Sequence, residues 1–328
     1  MNKRVAVVAM AVAFAMHSPI RADAAAPDIT NFPNKPVRYI IPFPPGAGSD
    51  LTARTVAQKL SEVWKVQVVA DNRSGASGII GVEYTANANP DGYTICHVTA
   101  SHTTNAATNP RLPYDFTRDL QGVSQITSLY YVLYLHPAVP VRSVKELVTY
   151  ARAHPGTLNF GSSGAGGLQH FAGELFAQMT GTRMVHVPYK GSGAVIPAMF
   201  SNEVQLGFGS IYGVRGHVQQ GKLRWLAITA ARRSPAVDLP TIAESGLPGY
   251  EVDQWYGVVT SAKVPRAIVQ KINAAIVQGL QSPDAIQRLT SDGGTVVGSS
   301  PEAFSTHLRT EVARWKKLVK DANIVLQN

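Results

Sequence analysis

Short β-prone runs recur along the chain, at 37–41 (VRYII), 66–70, 94–98, 158–160, 184–187, 204–208 and 223–229. Their length and their apolar, mostly β-branched or aromatic content predict strands. Between them the period changes. Over 51–64, residues Ala53, Val56, Ala57, Leu60, Val63 and Trp64 share one face of a 3.6-residue repeat, which predicts a helix. A second helix is predicted over 168–180, with Leu168, Phe171, Leu175, Phe176 and Met179 on its buried side. Strands alternating with helices predict parallel sheets covered by helices. Ser143 with Glu146 and Thr241 with Glu244 fit capping boxes, and Ser282-Pro283 and Ser300-Pro301 fit a cap followed by proline at the first helical position. No internal repeat or long linker interrupts this pattern.

The first 26 residues stand apart. Lys3 and Arg4 precede an apolar run ending at Met16, and Ala22-Asp23-Ala24 supplies a small-x-small cleavage site. This is the make-up of a secretory signal peptide, and the apolar run is too short to span a bilayer. Cleavage near residue 24 removes three basic residues and one acidic, leaving 27 minus 20, or +7. The basic residues are scattered, the densest groups being Arg232-Arg233 and Lys316-Lys317, so no nucleic-acid stripe is formed. A positive field of this kind steers small anions. The lone Cys96 excludes an internal disulfide.

Two loops carry the candidate chemistry. In IPFPPGAGSD, Pro42, Pro44 and Pro45 end a strand because they cannot donate to its ladder. Gly46, Ala47 and Gly48 then offer amides with almost no side chain above them, just before Ser49 or Asp50 caps a helix. Helix N-termini with unpaired amides favour carboxylates and phosphates. The stretch LNFGSSGAGGLQH repeats the design with Ser162, Ser163, Gly164, Ala165 and Gly166. If the loops face each other across a cleft, each holds one end of a dicarboxylate or both close on one carboxylate. Four or five hydrogen bonds to a charged group, at about 1.5–3 kcal/mol each, suffice for a micromolar site after ordering costs. His170 reads as a loop brace rather than a base, and Asp50 as a cap or an organiser of donors.

Several chemistries are missing from the motifs. Neither loop has the lysine of a P-loop, and GASGIIG at 75–81 lacks the Gly-x-Gly start of a dinucleotide fingerprint, so it reads as another helix entrance. Neither Ser162 nor Ser163 lies in Gly-x-Ser-x-Gly, and no His-Glu-x-x-His occurs. No catalytic residue, cofactor or metal is therefore expected.

In chain order the segments PFPPGAGSD, DNRSGASGIIG, NPDGYT, LPYDFTRDL, VKELVTYARAHPGTLNFGSSGAGGLQH, VHVPYKGSGAVIPAMFSNEVQLGF, GKLRWLAITAARRSPAVDLPTIAESGLPGYEVDQWYG and SPEAFSTHLRTEVARWKKLVKDANI resemble the solute-binding components of tripartite tricarboxylate transporters, often called the Bug family. The resemblance runs from residue 37 to 324. It implies an α/β, two-lobed type II periplasmic binding protein with a ligand cleft between the lobes. The expected division is 1–26 signal peptide, 27–127 plus 235–328 as the first lobe, and 128–234 as the second. It further implies a periplasmic monomer that passes a small organic anion, a mono- or dicarboxylate, to membrane permease subunits. A ligand sensor feeding a two-component kinase, or a periplasmic hydrolase using Ser162 or Ser163, remains an alternative. Thr103, Asn105, the turn at 189–191 that begins with Tyr189, and the pair Trp255-Tyr256 are implied near the cleft. The sequence departs from the family pattern in carrying Ala47 for glycine, a short NPRLPYD segment, and Gly209 for aspartate. The last loses a charge that would meet an amine or hydroxyl, which places aromatic or aliphatic carboxylates ahead of amino acids.

Overall fold

A computed structural model describes residues 30–46, 48–189, 194–290 and 293–321. The expected signal peptide, Ala47, and residues 190 and 191 of the expected turn lie outside them.

In β1 (Val37–Ile41), Val37, Tyr39 and Ile41 join a core with Ala53, Val56 and Leu60 of α1 (Gly48–Trp64). Ile40, pointing the other way, packs with Val82. This two-sided burial is why the run reads as continuously apolar. There follow β2 (Val68–Asn72), α2 (Ile79–Ala86), β3 (Thr94–Thr99), α3 (Ala100–Thr108) and β4 (Leu120–Tyr130). After the single residue Tyr131 the chain continues as β5 (Val132–Leu135) in a second sheet. That sheet is built with α4 (Val144–Ala153), β6 (Asn159–Ser162), α5 (Leu168–Thr180), β7 (Val185–Pro188), α6 (Val195–Phe200), β8 (Leu206–Gly209), α7 (Ile211–Gln219) and β9 (Arg224–Ile228). The chain returns as β10 (Asp253–Ser261) and closes with α8 (Arg266–Leu280), α9 (Pro283–Leu289), β11 (Thr295–Val296) and α10 (Pro301–Asp321).

The first sheet has the order β11-β4-β10-β3-β1-β2 and the second β7-β6-β8-β5-β9. Both are mixed, which corrects the expectation of parallel sheets. Strands β1, β2 and β3 are parallel, but β10 runs against both β3 and β4. Likewise β6 is parallel to β7 and β8, while β5 runs against β8 and β9. A strand arriving from the other sheet enters at the end where its neighbour leaves, so it must run in the opposite direction. The two crossings are tied together. Tyr131 N donates to Thr229 Oγ1 at 2.8 Å, Thr229 N to Tyr131 O at 2.8 Å, and Thr229 Oγ1 to Val252 O at 2.7 Å.

The sequence pattern did not mark β4 or β10 as strands. β4 interleaves Gly122, Ser124, Gln125, Thr127 and Ser128 with its apolar positions, and these are sheltered because the strand is paired on both edges. Thr241 and Glu244 exchange the bonds of a capping box, Glu244 N donating to Thr241 Oγ1 at 2.9 Å and Thr241 N to Glu244 Oε2 at 3.1 Å, but they close a turn over 241–246 rather than start the expected helix. At α4, Ser143 caps Glu146 N, but the Glu146 carboxylate reaches Arg142 N instead of completing the box. The Ser282 hydroxyl turns back to Gly279 O and leaves only Pro283 to mark the start of α9.

Candidate functional site

Each glycine-rich loop follows a parallel strand and opens a helix, one in each sheet. In the first, α1 begins at Gly48, so Asp50 sits inside its first turn rather than capping it. Asp50 is 2% exposed. Its Oδ2 accepts from Gly46 N and Arg54 Nε, both at 2.9 Å, and its Oδ1 accepts from Asn72 Nδ2 at 2.8 Å. Burial works to raise this carboxyl, yet the hydrogen bonds from Arg54, Asn72 and Gly46 hold it below its ordinary value. The same Asn72 amide donates to Phe43 O at 2.9 Å, so one side chain at the end of β2 fixes both ends of the loop. Ser49 is buried and Pro45 and Gly46 are exposed. The first amides of α1 have no carbonyl within the helix to meet.

The second loop is braced from beneath. Ser163 N donates to Gln169 Oε1 at 2.8 Å and Gly166 N to His170 Nδ1 at 3.1 Å. Gly164 N donates to Ser162 Oγ at 3.2 Å. His170 stacks on His186 with centroids 3.7 Å apart, and His186 Nε2 lies 2.6 Å from Ser162 Oγ. Burial, with His170 alongside, pushes His186 down to about 3, so it is a neutral partner. Ser162 has no exposed surface, which closes its hydroxyl to a reactant. The expectation of bare amides is thus corrected for Gly46, Ser163, Gly164 and Gly166, whose N–H groups are donated within the chain. The exposed loop tip falls at Ala165.

Other expected residues are placed as follows. Trp255, expected near the cleft, is fully buried against Phe304 and His307. It points from β10 toward α10 because residues 253, 255 and 257 share the face that α10 covers. Thr103, also expected near the cleft, is fully buried, its hydroxyl donating to Ala100 O at 2.7 Å. Asn105 donates to Ser77 O at 3.2 Å and so links α3 to the turn before α2. The Tyr189 hydroxyl donates to Glu203 Oε1 at 2.8 Å.

Ser163 and Gly209 share a cavity of about 280 Å³, lined also by Tyr131, Tyr134, Gln169 and Ser210. Sequence reasoning missed these four. Tyr131 carries a signal in hindsight, since it is the single residue between two strands of different sheets. A larger hollow of about 560 Å³ lies elsewhere, between the segment around Pro110 and Lys316 of α10. It contains none of the expected site residues.

No helix among the described residues is long and apolar enough to cross a membrane, and they hold no cluster of metal-ligating side chains. Residues 52–324 match the model of the tripartite tricarboxylate transporter family receptor. The chain is 31% identical over 333 residues to protein BugT of Bordetella pertussis, covering 100% of this chain and 99% of that one. The R. palustris protein Rpa4515, solved with adipate, is 36% identical with a TM-score of 0.75, over 90% of this chain and 99% of that one. MatC from Rhodopseudomonas palustris, solved with bound malate, is 27% identical with a TM-score of 0.72, over 88% and 100%. The two mixed sheets with a glycine-rich helix entrance on each are accordingly those of a two-lobed periplasmic binding protein, and the chain belongs to the tripartite tricarboxylate transporter receptor family, among the Bug proteins.

Proposed function

We propose that the protein is exported to the periplasm by its leader, captures a small organic carboxylate between its lobes, and delivers it to the membrane subunits of a tripartite tricarboxylate-type transporter. The observation that carries this reading is the pair of braced loops. Each is held by side chains, buried Asp50 and half-buried Asn72 in one and buried Gln169 and His170 with half-buried His186 in the other, that fix the backbone before any ligand arrives. Preorganisation of this kind saves the ordering cost of binding. Adipate and malate in two relatives supply the ligand class. In this reading the lobes divide close to the expected 27–127 plus 235–328 and 128–234, with the first sheet keeping β4 to Tyr130 and the second beginning at Val132, and the knot of Tyr131, Thr229 and Val252 is the hinge. Closure is a population shift: the carboxylate stabilises the closed form because only there do both loops reach it.

The 2.6 Å approach of His186 to Ser162 resembles a nucleophile and base, but the hydroxyl is enclosed and the imidazole is a very weak base. The pair therefore braces the loop, and the protein releases its ligand unchanged.

Isothermal calorimetry on the mature protein against adipate, malate and aromatic acids tests the reading. At least one acid should bind at micromolar strength, about 8 kcal/mol, and raise the melting temperature. No heat and no thermal shift with any carboxylate would sink it. Deleting the neighbouring permease genes should then abolish uptake of that acid.

A further inference from the structure

The cavity shared by Ser163 and Gly209 is more selective than a carboxylate site requires. Tyr134 on β5 is paired across the ladder with Gly207 of β8. A Cβ placed on Gly207 would lie 2.7 Å from the Tyr134 hydroxyl, and one on Gly209 would lie 3.1 Å from its Cε1. The two glycines are thus the bed of the tyrosine ring, and a side chain at either position would displace it. Tyr131, at the crossing, lines the same cavity, with Ile196 and Val214 supplying apolar wall.

The polar groups here are uncharged. The described lining residues include no Asp, Glu, Lys, Arg or His. The Tyr131 and Tyr134 side chains both line the cavity. Burial raises both phenols, and Tyr131 is raised further by Tyr256 and Tyr134, so these groups stay protonated donors at any physiological pH. Tyr256 continues the aromatic surface into the first sheet, its ring tilted against His97 with centroids 5.4 Å apart. At about 280 Å³ the cavity stands at the small end of ligand pockets, roughly 300–1,000 Å³.

We propose that this cavity receives the uncharged end of the ligand and selects a flat aryl monocarboxylate bearing a hydrogen-bonding substituent over a dicarboxylate of similar length. The inference rests on the reading that a carboxylate is held between the lobes, and it names what lies at that ligand's other end. A second carboxylate would have to shed water into a site without a cation, which is strongly unfavourable. A ring instead packs on Tyr131 and Tyr134 in offset or edge geometry, and its substituent meets their hydroxyls.

Calorimetry with 4-hydroxybenzoate, benzoate and adipate on the wild type and two variants decides the matter. The wild type should bind 4-hydroxybenzoate at least tenfold more tightly than adipate. Tyr134→Phe should weaken 4-hydroxybenzoate about five- to tenfold and leave benzoate within twofold. Gly209→Asp, which displaces the ring and adds a negative charge, should weaken both aryl acids more than tenfold while circular dichroism stays that of the wild type. Adipate binding as tightly as the aryl acids, or Tyr134→Phe leaving the preference between the two aryl acids unchanged, overturns the proposal while the carboxylate reading stands. Failure of all three acids with the wild type, when malate or another aliphatic acid binds, also overturns it. Silence from every carboxylate removes the underlying reading and the inference with it.

Discussion

At the scale of single residues, the site is governed by which amides are already engaged. Gly164 shows how a substitution separates charge from geometry. Its φ is +146°, a conformation that side chains other than glycine resist, but a Cβ there would meet nothing closer than Tyr189 O at 3.7 Å. Gly164→Ala therefore adds backbone strain of about 1–3 kcal/mol without a clash. Gly164→Asp adds the same strain and a negative charge beside the bound anion. We expect the alanine variant to lose some melting temperature and keep affinity within about threefold, and the aspartate variant to melt similarly but lose at least thirtyfold, both read by calorimetry and thermal unfolding. Equal losses in the two variants would show that charge at this position does not matter, and the anion site would lie elsewhere. The roles of Asp50 and His170 as braces were legible in the sequence because capping and i, i+4 geometry are local. The burial of Trp255 was not, since neighbouring strand positions look alike until the covering helix, here α10, is known.

At the scale of elements, α5 connects packing to binding. Gly173 lies where a Cβ would come within 2.2 Å of Phe160 Cε2 on β6. The helix rests directly on the strand, and the same helix carries Gln169 and His170, which hold the Ser163 and Gly166 amides. Gly173→Ala should overpack this contact, cost about 1–3 kcal/mol of stability, and weaken ligand binding as α5 is lifted away from the loop. A fall in melting temperature with unchanged affinity would mean that the loop is independent of the helix, and no change in either would mean that the close approach is absent. The elements themselves were visible in the pattern: α1 and α5 as 3.6-residue stripes, β1 and β3 as short runs with β-branched residues, and β6 as the short run LNF ahead of a glycine-rich loop. What local pattern could not carry was β10, whose partners β3 and β4 are set by the return from the second sheet. For the same reason Tyr131 and Tyr134 were invisible as site residues. Their cavity exists only when β5, β8 and α7 are assembled.

At the scale of the whole molecule, the two sheets share one core. Phe171 of α5 packs on Trp315 of α10 with centroids 5.4 Å apart, and the Tyr250 hydroxyl donates to Ala172 O at 2.9 Å. Beside this contact, where β10 meets β4, Asp253 accepts from Ser128 Oγ at 3.1 Å through one carboxylate oxygen, while the other is buried without a partner. Burial, reinforced by Glu251 and Glu311 and opposed by Ser128 and Arg314, pushes Asp253 up to about 7. The unfolded chain would ionise it near the ordinary value of about 3.9. Between those two values the folded form holds a proton that the unfolded form has lost, so stability falls as pH rises from about 4 to about 7 and the loss is complete above that. The Glu311 carboxyl, also raised by burial, adds to the same trend. His307 on α10 is depressed to about 4, chiefly by burial, and contributes with the opposite sign, gaining stability as pH rises toward 6.5. A wild-type profile therefore mixes both, and the difference between wild type and Asp253→Asn isolates the carboxyl. At about 1.4 kcal/mol per unit, reduced for partial access to water, that difference should be on the order of 2 kcal/mol. Melting curves should show the asparagine variant gaining on the wild type between pH 5 and about pH 7 and levelling off toward pH 8. A difference that stays flat across that range would mean that the carboxyl titrates as it does in water, and that the crossing between the lobes is wetter than the packing around Trp255 and Phe304 implies.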